Sequence, residues 1–231
     1  HCLSPIALPL TPLPPASIAG PSVAGLKPPP RHEHAAVALH DHLWIMGGGS
    51  DGGFFDDLWV YSPPDARWSR PSFFGRGPSA RKGHAMAAVG PNLYVWGGCA
   101  ADCSDTAVYA LDTDTLKWST RIATTGAPPA ARAGHTMAVV HERLVVLGGC
   151  DGKRGVCYDG VYVYDPVRDT WSTPTELGAA KRPAVAGAIA AVVGGEMSLY
   201  GGCRVKGSVQ PGQALCTSET WSLTAHFTSV D

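Results

Sequence analysis

The feature that most constrains this chain is a repeat of about 50 residues. Arg31, Arg81, Arg132 and Arg182 stand 50, 51 and 50 residues apart, and the glycine pairs Gly47-Gly48, Gly97-Gly98, Gly148-Gly149 and Gly201-Gly202 follow at 50, 51 and 53. Three Arg-x-x-His starts (Arg31/His34, Arg81/His84, Arg132/His135) and three late tryptophans (Trp68, Trp118, Trp171) keep the same register. Within the stretch 132–171, four short apolar runs lie at 135–140, 143–148, 160–164 and 170–173. Each is rich in Val, Leu, Tyr or Trp and bounded by Gly, Asp, Pro or charge, the pattern of strands and turns. No long helical period runs through it. Four strands in so short a span make one antiparallel sheet, and a sheet recurring every ~50 residues is the unit of a radial repeat fold.

The double glycine closing the second strand, the aromatic about a dozen residues later and the Trp about nine after that resemble the kelch-repeat family, over residues 28–231. The resemblance implies an all-β, kelch-type β-propeller of four blades at 28–77, 78–127, 128–178 and 179–231. Each has four antiparallel strands, the last being incomplete at its outer strand. Trp221 is assigned to a third strand with Trp59, Tyr109 and Tyr162, because Cys103, Cys157 and Cys216 precede Tyr109, Tyr162 and Trp221 by 6, 5 and 5 residues. Kelch rings usually hold about six or seven blades, so these four are expected to be part of a larger ring; the alternative is a closed four-blade ring sealed by residues 1–27. That proline-rich segment reads as a linker or strap, or as the remnant of a preceding blade.

Structural roles follow for the repeated residues. The glycine pairs suit a strand end where backbone passes close to backbone or takes positive φ. The third-strand aromatics and late tryptophans suit packing between blades. The arginines before each first strand are expected to hydrogen-bond backbone between blades.

Of seven cysteines, six fall at one structural position, as Cys99/Cys103, Cys150/Cys157 and Cys203/Cys216. Each pair brackets the loop from second to third strand. In the first blade Gly49 takes the place of the first cysteine, and no second one precedes Trp59, so both members are present or absent together. That is the behaviour of disulfide partners, and disulfides in series imply an oxidising compartment: secreted, cell-surface or lumenal, with a cytoplasmic location as the alternative. Pair spacings of 4, 7 and 13 do not fit a repeated zinc knuckle. Cys2 is left over.

A formal net charge of −1 with 16% charged residues provides no field to attract nucleic acid or an anionic bilayer. No apolar run reaches the ~18 residues of a membrane span, so membrane insertion is not expected. His34, His84 and His135 begin successive inner strands and would ring one end of the central channel. Their recurrence at one blade position marks them as scaffold, and no metal or other cofactor is expected.

Function is expected at the rim made by the second-to-third-strand loops and the connections between blades. Its candidate partner-binding residues run from acidic to basic: Asp51, Phe54, Phe55, Asp102 and Asp105, then Lys153, Arg154, Arg204 and Lys206. Such a rim suits a protein partner, with carbohydrate as the other ligand class left open. The reading is a non-catalytic interaction or scaffold module, whose partners include the rest of a larger polypeptide or assembly. The kelch resemblance also implies two alternatives. One is a secreted kelch-fold enzyme of the copper-radical oxidase or sugar-epimerase type, although the oxidase pattern needs a cysteine outside the pairs. The other is an intracellular substrate adaptor.

Overall fold

The computed structural model describes residues 26–100, 103–119, 125–174, 184–204 and 215–224. Among them there are strands, turns and no helix. Blade 1 is a meander of Ala35–Leu39, His42–Met46, Leu58–Ser62 and Arg67–Ser69. Blade 2 repeats it with Lys82–Val89, Asn92–Cys99, Val108–Asp112 and Lys117–Trp118, and blade 3 with Ala133–Val140, Arg143–Asp151, Val161–Asp165 and Thr170–Ser172. Blade 4 contributes Ile189–Val193, Glu196–Tyr200 and Thr220–Thr224. The first strands of successive blades lie side by side, as a propeller's inner strands do.

The turns are chosen locally. His40-Asp41 and His141-Glu142 take positive φ at both positions, which matches a tight hairpin turn to the twist of its strands. At the end of the third strand, Asp112 Oδ1 accepts from the amides of Asp114 and Thr115, and Asp165 Oδ1 from those of Val167 and Arg168. These Asx turns send the chain into the outer strand.

The core lies between blades. One cluster joins Trp44, Met46, Leu58 and Val60 of blade 1 to Leu93, Val95, Tyr109 and Trp118 of blade 2. The next joins Trp96 and Val108 to Leu144, Val146, Tyr164 and Trp171, with Trp96 edge-on to Trp171 at 5.5 Å. A third joins Val145, Leu147 and Val163 to Met197 and Leu199. Trp118 and Trp171 therefore pack back against the preceding blade. Trp68, at the same position in blade 1, is half-buried on Tyr61 at 5.0 Å.

Trp221 pairs with Leu199 as Trp59 does with Ile45, Tyr109 with Val95 and Tyr162 with Val146. All four aromatics thus oppose the residue two before the first glycine of the pair, on the third strand. The first strand of blade 4 begins at Ile189, later than the apolar run at 185 suggests. Val185 instead enters the seam, where its carbonyl accepts from Gly149 N at 2.8 Å. Residues 1–25, with Cys2 and most of the proline-rich segment, lie outside the described residues, as do Asp102, Arg182, Lys206 and residues 225–231.

Candidate functional site: the loop rim and the seams beneath it

Each seam is built from the repeated residues. Gly48 N donates to Arg81 O at 2.9 Å, Gly98 N to Arg132 O at 2.9 Å, and Gly149 N to Val185 O at 2.8 Å. The glycine before each donor is left bare for the incoming blade. A Cβ on Gly47 would stand 2.8 Å from Arg81 O and 2.7 Å from the His84 ring, and φ there is +60°. On Gly97 it would stand 2.5 Å from the His135 ring.

The arginine side chains do not bridge blades as expected; their main chains do. Each guanidinium turns back onto its own sheet. Arg31 Nη1 donates to Gly47 O, Arg81 Nη1 to Gly97 O and Arg132 Nη1 to Gly148 O, at 2.9, 2.9 and 3.1 Å. The reason is local: each Nε first donates to the carbonyl two residues upstream (Pro29, Ser79, Ala130), which fixes the fork over the strand end of its own blade.

A carboxylate completes the fork in two blades. Arg31 holds Asp57 through both terminal nitrogens at 2.6 and 3.0 Å, and Trp59 Nε1 donates to the same carboxylate at 2.7 Å. Arg81 holds Asp105 at 2.9 Å, with Tyr109 OH donating at 2.7 Å. Burial alone would raise both carboxyls, but these hydrogen bonds and the arginine charge outweigh it and hold them below the usual range. Among the described residues of blade 3 no carboxylate completes the fork. Arg132, 1% exposed, lies 3.9 Å from the Tyr158 ring centroid and 5.2 Å from that of Tyr162, and its Nη2 makes no hydrogen bond.

The histidines do not converge on the channel. His34 is exposed, while the rings of His84 and His135 lie against the glycine pair of the preceding blade. Neither buried ring makes a well-formed hydrogen bond. Burial first, then the neighbouring arginine charge, lowers His84 to about 4 and His135 to about 3, against a weak opposing pull from the Met46 and Trp96 carbonyls. Among the described residues no three His, Cys, Asp or Glu side chains are grouped to hold a metal ion.

Three disulfides close the loops above the seams: Cys99–Cys103, Cys150–Cys157 and Cys203–Cys216, with Cα separations of 4.1, 4.0 and 3.9 Å. The last two join residues directly opposite each other in short antiparallel ladders, which explains the close Cα approach. In blade 1 the loop is closed instead by Gly49–Ser50 pairing with Gly53–Phe54.

On these loops Asp51, Lys153 and Arg154 are exposed, and Phe54 is 42% exposed. Asp151 accepts from the amides of Lys153 and Arg154, which fixes the tip. Phe55 lies beneath the Arg31 guanidinium at 4.3 Å, and Asp105 is held by Arg81, so these two brace the rim from within. Arg204 lies in the short strand Cys203–Arg204.

Sequence reasoning did not find a cleft of about 790 Å³ beside this rim, between blades 1 and 2. Asp56 and Asp57 of the blade 1 loop, Asp105 of the blade 2 loop and the connection 70–79 all reach it. The loops and the connection thus meet on one face.

The sequence matches the family described as the KLHDC2/KLHL20/DRC7 Kelch-repeats domain over residues 16–224. The chain belongs to the kelch-repeat family. The kelch match takes in part of the proline-rich segment, from residue 16. Among relatives, the chain is 39% identical over 168 residues to rice (Oryza sativa subsp. japonica) Acyl-CoA-binding domain-containing protein 6, covering 68% of this chain and 25% of that protein. It is 45% identical over 159 residues to Schizosaccharomyces pombe Tip elongation aberrant protein 1, covering 68% and 14%. It is 34% identical over 132 residues to the human Rab9 effector protein with kelch motifs, covering 54% and 35%. The kelch chain thus spans a minor part of each of these relatives. Kelch-repeat domains are typically protein-interaction modules, and they generally bind protein partners.

Proposed function

We propose that this kelch propeller is a non-catalytic protein-binding module of a secreted, cell-surface or lumenal protein, and that it binds through the loop rim. The observation that carries the reading is the set of exposed side chains, Asp51, Phe54, Lys153 and Arg154, held on loops that a hairpin or a disulfide closes. Such loops lose little conformational freedom on binding. The reading also counts Asp102, Arg204 and Lys206 as partner-binding residues, of which Asp102 and Lys206 lie outside the described residues. The buried titratable groups support a non-catalytic role: Asp57 and Asp105 are tied to guanidiniums, and the His84 and His135 rings are enclosed. The three disulfides support the oxidising compartment.

Two measurements test it. Alkylation of the native protein without reductant should leave the six paired cysteines unmodified; ready labelling of all six would favour the intracellular adaptor. Peptides selected from a random display library on the immobilised protein should bind at least about tenfold more weakly to an Asp51→Lys/Phe54→Ala/Arg154→Glu variant. Unchanged binding would remove the rim from the reading.

A further inference from the structure

The connections between blades share some features and differ in others. In the first, Phe74 forms a parallel bridge with Lys117 of the next blade's outer strand; in the second, Thr125 does so with Thr170. The glycine that follows, Gly75 or Gly126, sits against the carbonyl of Trp118 or Trp171, where a Cβ would collide with it. Those two features recur, so the scaffold uses them. The side chains on either side of that glycine do not recur: Phe74 and Arg76 stand where Thr125 and Ala127 stand in the second connection. Phe74 leaves 68% of its surface exposed, and Arg76 is exposed at the cleft with no carboxylate partner among the described residues.

The cleft has an apolar base and a charged mouth. Met46, Leu58 and Trp118 line it while nearly fully buried, and half-buried Phe73 extends them outward. Asp57 and Asp105 also line it, but each is already neutralised by its arginine. The charges left at the mouth are the Arg70 and Arg76 guanidiniums against the single Asp56 carboxylate, a surplus of one positive charge. A volume of about 790 Å³ takes a bulky side chain and its flanking backbone.

We infer that this cleft binds an acidic segment of a protein partner, seating one bulky apolar side chain against Met46, Leu58, Phe73 and Trp118 while an adjacent Asp or Glu pairs with Arg70 and Arg76. A guanidinium fork is the donor suited to a carboxylate, and a desolvated apolar anchor provides the hold. The inference rests on the interaction-module reading and names the partner class for one part of that face.

The random-peptide selection tests it. Enriched peptides should place Asp or Glu within a few residues of Phe, Leu, Met or Trp. A synthetic peptide from that set, labelled with fluorescein, should bind about tenfold more weakly to Arg70→Glu/Arg76→Glu, while Arg76→Lys keeps part of the affinity. Because the Arg70 charge also helps hold the Asp57 carboxyl down, the single exchange Arg76→Glu, at an exposed side chain away from that carboxylate, should weaken binding with an unchanged melting temperature. Its counterpart with Lys in place of the acidic residues should not bind.

Enrichment of basic peptides would overturn the inference. So would acidic peptides indifferent to the arginine exchange but sensitive to the Asp51/Phe54/Arg154 variant, an outcome that leaves the rim reading standing. Failure to select any peptide would overturn both.

Discussion

At the scale of single residues, the seams carry the acid sensitivity of the fold. His84 and His135 are enclosed and neutral, with values lowered to about 4 and about 3 from the ordinary 6.5. Between those values and 6.5 the unfolded chain takes up protons that the folded chain refuses, so stability is full above about pH 6.5 and is lost as pH falls. Each histidine contributes a loss of about 1.4 kcal/mol per pH unit across that window. Urea midpoints measured from pH 7 to 4.5 should fall, and His135→Leu should flatten the profile; an unchanged slope would contradict the account. This burial was only half legible in the sequence. The spacing placed His34, His84 and His135 as equivalents, but a ring is enclosed only where a preceding glycine pair receives it, and Gly47 and Gly97 receive the latter two. The direction of the arginine forks was not legible either. The 16 residues from Arg81 to Gly97 are the same whether the guanidinium folds back or reaches across; the carbonyl of Ser79 decides it.

At the scale of elements, register was the most legible property, because the side-chain period and the glycine pairs fix it together. The paired cysteines placed Trp221 on a third strand although a Trp so late in the chain invites the fourth, and its pairing with Leu199 follows. What the repeat could not reveal was the cleft, since Phe73 and Arg76 lie in a connection whose side chains have no period to read. The disulfide loops permit an element-level prediction. Cys150 and Cys157 face each other across a two-residue ladder and close a short loop, so replacing both with serine should cost about 2–3 kcal/mol, the mechanism being in part an unfolded-state effect. Thermal unfolding with and without reductant checks it: the parent should lose stability on reduction, and the variant should respond less.

At the scale of the molecule, blades are layers whose two faces must both be covered, and blade 4 tests that rule. Met46, Trp96 and Leu147 occupy one position, each directly before a glycine pair, and the following blade leaves them 1%, 1% and 4% exposed. Tyr200 occupies the same position in blade 4 and is 50% exposed. The comparison repeats along the first strand, where Val140 is 1% exposed and its counterpart Val193 is 72% exposed; Ile189 adds a further apolar side chain at 69%. An apolar sheet face of this kind associates with whatever apolar surface it meets. For the isolated chain at high concentration, that surface belongs to another copy. Sedimentation equilibrium should therefore show concentration-dependent association. Val193→Lys/Tyr200→Lys should weaken it at least about tenfold while leaving the folded signal intact, because these side chains contribute little to the packed seams. If association persists undiminished in that variant, the contact lies elsewhere, and the loop rim with exposed Phe54 and Phe74 becomes the surface to substitute next.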